Sequence, residues 1–511
     1  MRVAMSTNTL RSQFLRLAGE PGCVVCHAAQ EAVDRFFAWY LIEQYHEPSI
    51  IKRMQEAHGF CPLHTRQFVA ISSPHLVSTV YRDLLASATA LLRSLANVSS
   101  APTPILVDRI RPQVACLACE HQEAAVSWIT RGLPTWLTDS QVRAAIMRPS
   151  ALCLPHFVHV LPSLDWEAAT LLAHAQLTSL TVARTEYDNS REPGKLASLL
   201  VGANSNEALL VSLSRSPLAS TEDAQGTSSI REQDTRGMPG SGDSLLEQPS
   251  WSPALTRMET LLKAPGCPLC REEEDTAATY LHWLSEELSK KTPSQSIDDA
   301  RWLCQQHLWR FSGIGNEQAI ESLLASTSSF WMALLQMLVS GLDRPPPKFF
   351  LARCWHGMIA ARQRQPQVTG WRAFQEGVAQ GRMSMTKRLA ELREPLMHTH
   401  LCPVCRFQRE HRDRLVDLLD SMLGDRGLAR HYEAADGICF RHLPLAISRC
   451  RQPDNVSFLL RTRYTRLAVI HWELEEYWRK RDWAHRWEPG GDEQTAWYRA
   501  INQYTGREAV S

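Results

Sequence analysis

The sequence predicts an all-α protein: four metal-pinned helical hairpin repeats arranged as two duplicated halves. Three observations predict it. A cysteine and histidine pattern recurs four times, apolar residues follow helical spacing between those ligands, and a Ser/Gly/Pro-rich stretch divides the chain near its middle. At 511 residues, 44% hydrophobic and 21% charged, the composition is globular. With 55 Lys plus Arg against 54 Asp plus Glu, the net charge of +1 argues against a protein whose main work is coating nucleic acid or a membrane.

Of 14 cysteines, 12 lie in the pattern. Cys23-x2-Cys26 is followed after 34 residues by Cys61-x2-His64, and Cys116-x2-Cys119 is followed after 33 by Cys153-x2-His156. In the second half, Cys267-x2-Cys270 leads to Cys304-x2-His307 and Cys402-x2-Cys405 leads to Cys439-x2-His442, again with gaps of 33 residues. Three thiolates and one imidazole make a closed tetrahedral shell that suits zinc and leaves no open position for substrate. The expected cofactor is therefore zinc, about four ions per chain. An iron–sulfur cluster is the alternative for the same donors. Read in order, each Cys-x2-Cys closes with the Cys-x2-His that follows it, pinning one hairpin.

Cys23-Val24-Val25-Cys26-His27 also fits the c-type haem attachment pattern, but Glu120, Arg271 and Arg406 replace His27 in the other copies. A thioredoxin-like motif needs a preceding strand and a free thiolate pair, and the flanking sequence reads helical.

The elements follow from apolar spacing. After Cys26, Ala29, Val33, Phe36, Phe37, Tyr40 and Leu41 mark an amphipathic helix. His46-Glu47-Pro48-Ser49 breaks it, Ser49 is placed to cap a helix over Ile50 to Glu56, and Gly59 ends that one. The same plan runs from Glu273 to Leu288, with a break at Thr292-Pro293-Ser294. In the second copy Ala124, Val126, Trp128 and Ile129 precede a break at Gly132-Leu133-Pro134, and in the fourth Leu415, Leu418 and Leu419 precede Gly424. Short helices start at each histidine end (Leu63 to Val69, Phe157 to Leu161, Leu308 to Phe311, Leu443 to Ile447). Long helices follow over Leu76 to Leu95, Trp166 to Thr185, Gln318 to Leu338 and Val456 to Trp478.

The aperiodic stretch 212–252 reads as a flexible linker. It separates an N-terminal helical half, residues 1–211, from a C-terminal half, residues 253–511, each with two zinc sites. The second half is longer between its sites, where Arg344-Pro345-Pro346-Pro347 and a helical segment around Phe349 to Gln363 are inserted.

Outside the repeat, Cys354 beside His356 reads as a buried thiol, since residues two apart on a helix do not face each other. Cys450, between two arginines, reads as an exposed thiol. His398 and His400 lie close enough to Cys402 to support or replace a ligand, although the other copies have no counterpart. The acidic run Glu272 to Asp275 reads as a solvated helix start, and Glu473, Glu475 and Glu476 as the wet face of a helix.

No phosphate-binding loop, dinucleotide fingerprint, zinc-protease helix or nucleophile elbow occurs, so no catalytic residue is assigned and the leaning is away from an enzyme. The leading expectation is a scaffold that binds a protein partner. Nucleic acid is the second, through Arg461, Arg463, Arg466, Arg479, Lys480, Arg481 and Arg486 interleaved with Trp472, Trp478, Trp483 and Trp487. A cofactor-dependent enzyme with iron–sulfur centres is the third. The first residues lack the apolar run of a signal peptide, and the longest apolar stretch, Phe330 to Val339, is short for a membrane span. The expectation is a cytoplasmic chain with no membrane partner.

Several segments together resemble a family of uncharacterised bacterial cysteine-rich proteins, domain of unknown function 6062. They are Cys-Pro-Leu-Cys at 267–270, Cys-Pro-Val-Cys at 402–405, Gly59 to His64, Gly437 to His442, and the closing Gly490 to Ala500 with Trp497 and Arg499. The likeness extends over nearly the whole chain outside the linker. The departures are Cys23-Val24-Val25-Cys26 and Cys116-Leu117-Ala118-Cys119, which lack the proline, and Ser150 ahead of Cys153. The resemblance implies the repeated architecture and no activity.

Overall fold

The computed structural model describes residues 7–42, 44–96, 103–203, 251–290, 303–343 and 402–506. Among them every regular element is helical and there is no strand.

A short α1 (Thr7–Leu17) leads into α2 (Val24–Ile42), whose buried face of Val25, Ala29, Val33, Phe36, Phe37 and Tyr40 is the stripe seen in the sequence. Helix α3 (Pro48–Glu56) begins ahead of Ser49, because Pro48 takes the first helical position and Glu47 stands at the N-cap. Ser49 thus lies inside the first turn instead of capping it. Helices α4 (Pro62–Ile71), α5 (Pro74–Ala96) and α6 (Thr103–Ile110) follow.

Helix α7 (Leu117–Trp136) runs on through Gly132-Leu133-Pro134, where the sequence suggested a break. Pro134 has no N–H for the Thr130 carbonyl four residues back, and the Ser163 hydroxyl, which donates to the Val160 carbonyl at 2.7 Å, lies 3.3 Å from it. Gly132 makes room for Trp136: a Cβ there would meet its ring at 2.3 Å. Gly132→Ala gains about 1 kcal/mol of helix propensity. Displacing the buried ring costs about 1–3 kcal/mol, so the expected net result is destabilisation, read as a lower denaturant midpoint.

The first half closes with α8 (Ser140–Ile146), α9 (Leu154–Val160), α10 (Trp166–Ser190) and α11 (Pro193–Val201). Asp139 caps α8 and Asp165 caps α10 through side-chain bonds to free backbone N–H groups. Residues 204–250, which include most of the expected linker, lie outside the described residues, and its last two positions open α12 (Trp251–Lys263). Then come α13 (Pro268–Leu288), α14 (Gln305–Ile314) and α15 (Glu317–Asp343). The Thr292 break, the Phe349 to Gln363 segment, Cys354, His356, His398 and His400 all lie outside the described residues. The chain resumes with α16 (Pro403–Leu423), α17 (Arg426–Ala434), α18 (Leu443–Arg449), α19 (Pro453–Arg479) and α20 (Ala496–Tyr504).

The chain divides into two compact units, neither continuous in sequence. One comprises residues 1–64, 112–205 and 272–413, and the other 65–111, 206–271 and 414–511. In the first, α2 packs on α7, α10 packs on α15, and α11 lies against α9, α14 and α15. In the second, α5 lies along α19, α20 contacts both, and α18 packs on α6.

By length and composition α15 is apolar enough to cross a membrane. Here its Leu323, Leu324, Trp331, Leu335 and Leu338 are buried. Arg184 of α10 donates to Ser328 at 2.9 Å and Trp166 to the Leu342 carbonyl at 3.1 Å, so one face of α15 packs within the first unit.

Candidate metal centres

All sixteen pattern residues assemble into four donor clusters, in a pairing other than the consecutive one expected. Cys23 and Cys26 meet Cys153 and His156, while Cys61 and His64 meet Cys116 and Cys119. Likewise Cys267 and Cys270 meet Cys439 and His442, and Cys304 and His307 meet Cys402 and Cys405. Each half therefore nests an inner site (61/64/116/119 and 304/307/402/405) inside an outer one (23/26/153/156 and 267/270/439/442).

Helix length explains the exchange. At about 1.5 Å per residue, α2 carries the chain some 28 Å from its own ligand pair, and α3 returns only about half that distance. The start of α7 lies at the far end, because α7 packs antiparallel on α2. Phe36, late in α2, stacks on His121, early in α7, with ring centres 4.8 Å apart. The second half repeats this contact at matching positions, where Tyr280 of α13 meets Phe407 of α16 at 5.5 Å. Each hairpin thus closes on its duplicate.

The four clusters share one geometry. The sulfur–sulfur distance is 3.8 Å for Cys26–Cys153, Cys270–Cys439 and Cys304–Cys405, and 3.7 Å for Cys61–Cys119. Sulfur to histidine Nδ1 spans 3.2–3.6 Å. Bonds of about 2.3 Å to sulfur and 2.0 Å to nitrogen at tetrahedral angles give edges of about 3.8 and 3.5 Å. The donors therefore fit one four-coordinate ion per cluster.

Seven of the eight ligand motifs place their first cysteine immediately before a helix, so two helix starts converge on each inner site and on the 23/26/153/156 site. The partial positive charge of those termini faces the thiolates. At Cys439 the helix begins four residues later, at Leu443, and the peptide N–H groups of His442 and Leu443 both bond the Cys439 carbonyl at 3.1 Å. Burial lowers the proton affinity of His64, but the thiolates of Cys116 and Cys61 outweigh it and hold the imidazole at about 9. The same contest leaves His156 at about 10 and His307 at about 9. An incoming cation must displace these protons, so metal uptake releases protons and tightens as pH rises.

Three supporting residues escaped the sequence reading. Gly202, at φ +96°, lies over the outer site of the first half, where a Cβ would be 3.5 Å from Cys26 Sγ and 3.7 Å from Cys153 Sγ. Gly506, at φ +102°, does the same for the other outer site, with Cys270 Sγ at 3.0 Å and Cys439 Sγ at 3.7 Å. Gly506→Ala strains a left-handed backbone and pushes on a ligand sulfur, so the expected cost is about 1–3 kcal/mol. Its check is faster alkylation of Cys270 and Cys439 with Cys61 unchanged.

The third is Arg463, wholly buried in the second unit. It donates to the Asp436 carbonyl at 2.7 Å, the Gln503 carbonyl at 3.2 Å and the Gln503 amide oxygen at 2.6 Å. Both contacts bear on the outer site. The Asp436 carboxylate accepts from Gly266 N–H, next to Cys267, at 2.6 Å. The Gln503 carbonyl also accepts from Phe440 N–H, next to Cys439, at 2.9 Å.

Other expectations change with packing. Glu272 is buried 3.4 Å from His411, and Glu273 pairs with Arg412 at 3.0 Å, because α16 covers that face of α13. Glu473 is buried against Arg499 at 2.9 Å, which removes it from the wet face. Cys450 is a part-buried thiol that burial and Asp420 push up to about 12, so it is no low-pKa nucleophile. His27 Nε2 bonds the Pro21 carbonyl at 2.8 Å and takes no part in the cluster.

Most of the basic C-terminal set is engaged internally. Besides Arg463, Arg466 bonds the carbonyls of Tyr432 and Glu433 at 2.8 and 2.9 Å, Arg479 pairs with Glu476 and Glu488, and Lys480 pairs with Glu493 at 3.0 Å. Trp472, Trp483 and Trp487 remain exposed.

No family profile matches the chain, and no solved structure matches it. A bacterial protein from Caldicellulosiruptor sp. (strain Rt8B.4), described as an uncharacterized 23.9 kDa protein in the xynA 3′ region, is 24% identical over 168 residues. The match covers 33% of this chain and 77% of that protein, and its description assigns no activity.

Proposed function

We propose that this chain is a zinc-stabilised helical scaffold, without catalysis of its own, that presents a preformed surface to a protein partner. The observation that carries the reading is the fourfold Cys3His donor set with tetrahedral edges, which matches the closed shell of structural zinc. A polynuclear iron–sulfur cluster places several atoms between its ligands and needs wider sulfur spacing. Thiolate sites of this kind suit a reducing compartment such as the cytoplasm.

A partner surface is supported by the loop after α19. Trp483 and Trp487 are each 78% exposed, yet the loop is tied down by His485 to Glu488 at 2.9 Å and by Lys480 to the Pro489 carbonyl at 2.9 Å. Tryptophans held outward by a fixed backbone lose little freedom on binding and make efficient anchors.

The test is metal content on protein purified without added metal, followed by chelation. About four zinc ions per chain are expected, together with loss of helicity and of cooperative melting when they are stripped. A brown preparation with iron supports the cluster alternative. Chelation that leaves the helical signal and the melt unchanged overturns the reading.

A further inference from the structure

We infer that the two inner sites are oxidation-sensitive, with Cys61–Cys119 and Cys304–Cys405 as paired targets for peroxide, while the outer sites are protected. The inference rests on the metal reading above and concerns how exposed each set of sulfurs is.

In every cluster one edge joins the second cysteine of the Cys-x2-Cys turn to the cysteine of the Cys-x2-His turn. At the inner sites both sulfurs of that edge belong to part-exposed residues: Cys61 with Cys119, and Cys304 with Cys405. The remaining inner cysteines, Cys116 and Cys402, are buried. At the outer sites the edge is closed. Cys270 and Cys439 are both buried under Gly506, while Cys26 is part-exposed but its neighbour Cys153 is buried and Gly202 lies over the pair. The duplicated halves therefore agree: open edge inside, covered edge outside.

An open edge has a defined chemistry. A thiolate of one exposed cysteine attacks a peroxide oxygen and becomes a sulfenic acid as hydroxide leaves. The neighbouring thiolate attacks that sulfur, forms the disulfide and expels a second hydroxide. Two electrons pass from the two sulfurs to the peroxide, and two protons from solvent turn both hydroxides into water. The sulfurs start 3.7 and 3.8 Å apart and close to about 2 Å in the product. His64 with Cys116, or His307 with Cys402, then remains as a two-donor site, too few to retain a divalent ion. At Cys270–Cys439 both sulfurs are buried and peroxide reaches neither, and at Cys26–Cys153 the backbone of Gly202 stands over the pair and narrows the approach to Cys26, the one sulfur that could start the reaction.

The experiment titrates the zinc-loaded full-length protein with hydrogen peroxide, reads freed zinc with a chromogenic chelator and maps cysteines by alkylation and mass spectrometry. Two of the four equivalents are expected to leave first, together with Cys61–Cys119 and Cys304–Cys405 disulfides, while Cys267, Cys270 and Cys439 stay unmodified. Release of all four ions in one phase, earlier release from the outer sites, or inner-site loss without those two disulfides overturns the inference. A preparation that binds no metal sinks the metal reading itself, whereas one that is fully loaded and fails the peroxide test sinks this inference alone.

Discussion

Cys23→Ala is expected to remove one metal per chain and to expose Cys26 and Cys153 to alkylating reagent while Cys61 stays protected. The nested pairing dictates this, since Cys23 shares its donor cluster with Cys26, Cys153 and His156. Consecutive pairing predicts the opposite, with Cys61 exposed and Cys153 protected. The effect is large because a structural zinc site contributes about 10 kcal/mol or more to folding, comparable with the whole net stability of an ordinary domain, about 5–15 kcal/mol. Loss of the ion also unties the starts of α2 and α9, so the melting transition of the variant is expected to fall steeply or vanish. Mass spectrometry after brief alkylation, alongside metal analysis, reads both outcomes on one sample. Rapid labelling of Cys61 with Cys153 protected overturns the pairing.

Arg463→Met is expected to cost about 2–5 kcal/mol, from two buried acceptors left unsatisfied, and to loosen the outer site of the second half. Methionine keeps much of the volume but removes every bond to Asp436 and Gln503, so the Asp436 carbonyl and the Gln503 amide oxygen lose this donor while the Gln503 carbonyl keeps its bond from Phe440 N–H. Arg463→Lys is expected to rescue little, because a single ammonium cannot span both carbonyls as the guanidinium does. The measurements are the melting temperature and the alkylation rates of Cys267 and Cys439. A variant that melts within a few degrees of the parent with both cysteines still protected would remove Arg463 from this role.

Much of the architecture was readable because its signals are local. Helical spacing of apolar residues placed α2, α5, α10, α13, α15 and α19 to within about five residues at each end. Departures came wherever a distant residue altered a local rule. Pro134 does not end α7, although it has no N–H to donate to the Thr130 carbonyl, and the Ser163 hydroxyl lies beside that carbonyl instead. Glu272 and Glu473 look solvated along their own helices, yet α16 and Arg499 cover them. Arg463 resembles one member of a basic surface, and only its burial shows that it holds two turns together.

By itself the sequence determined the sixteen donors, their grouping into tight turns at helix starts, and the helical segments between them. These depend on residues within a few positions of one another. The partners of each turn were decided by tertiary structure alone. A motif spacing of 33 or 34 residues allows either closure; what selects one is the antiparallel packing of α2 on α7 and of α13 on α16, shown by Phe36 on His121 and Tyr280 on Phe407. Side-chain packing between duplicated helices brings each cysteine pair to the histidine of the other copy, and no local signal in either copy encodes that choice.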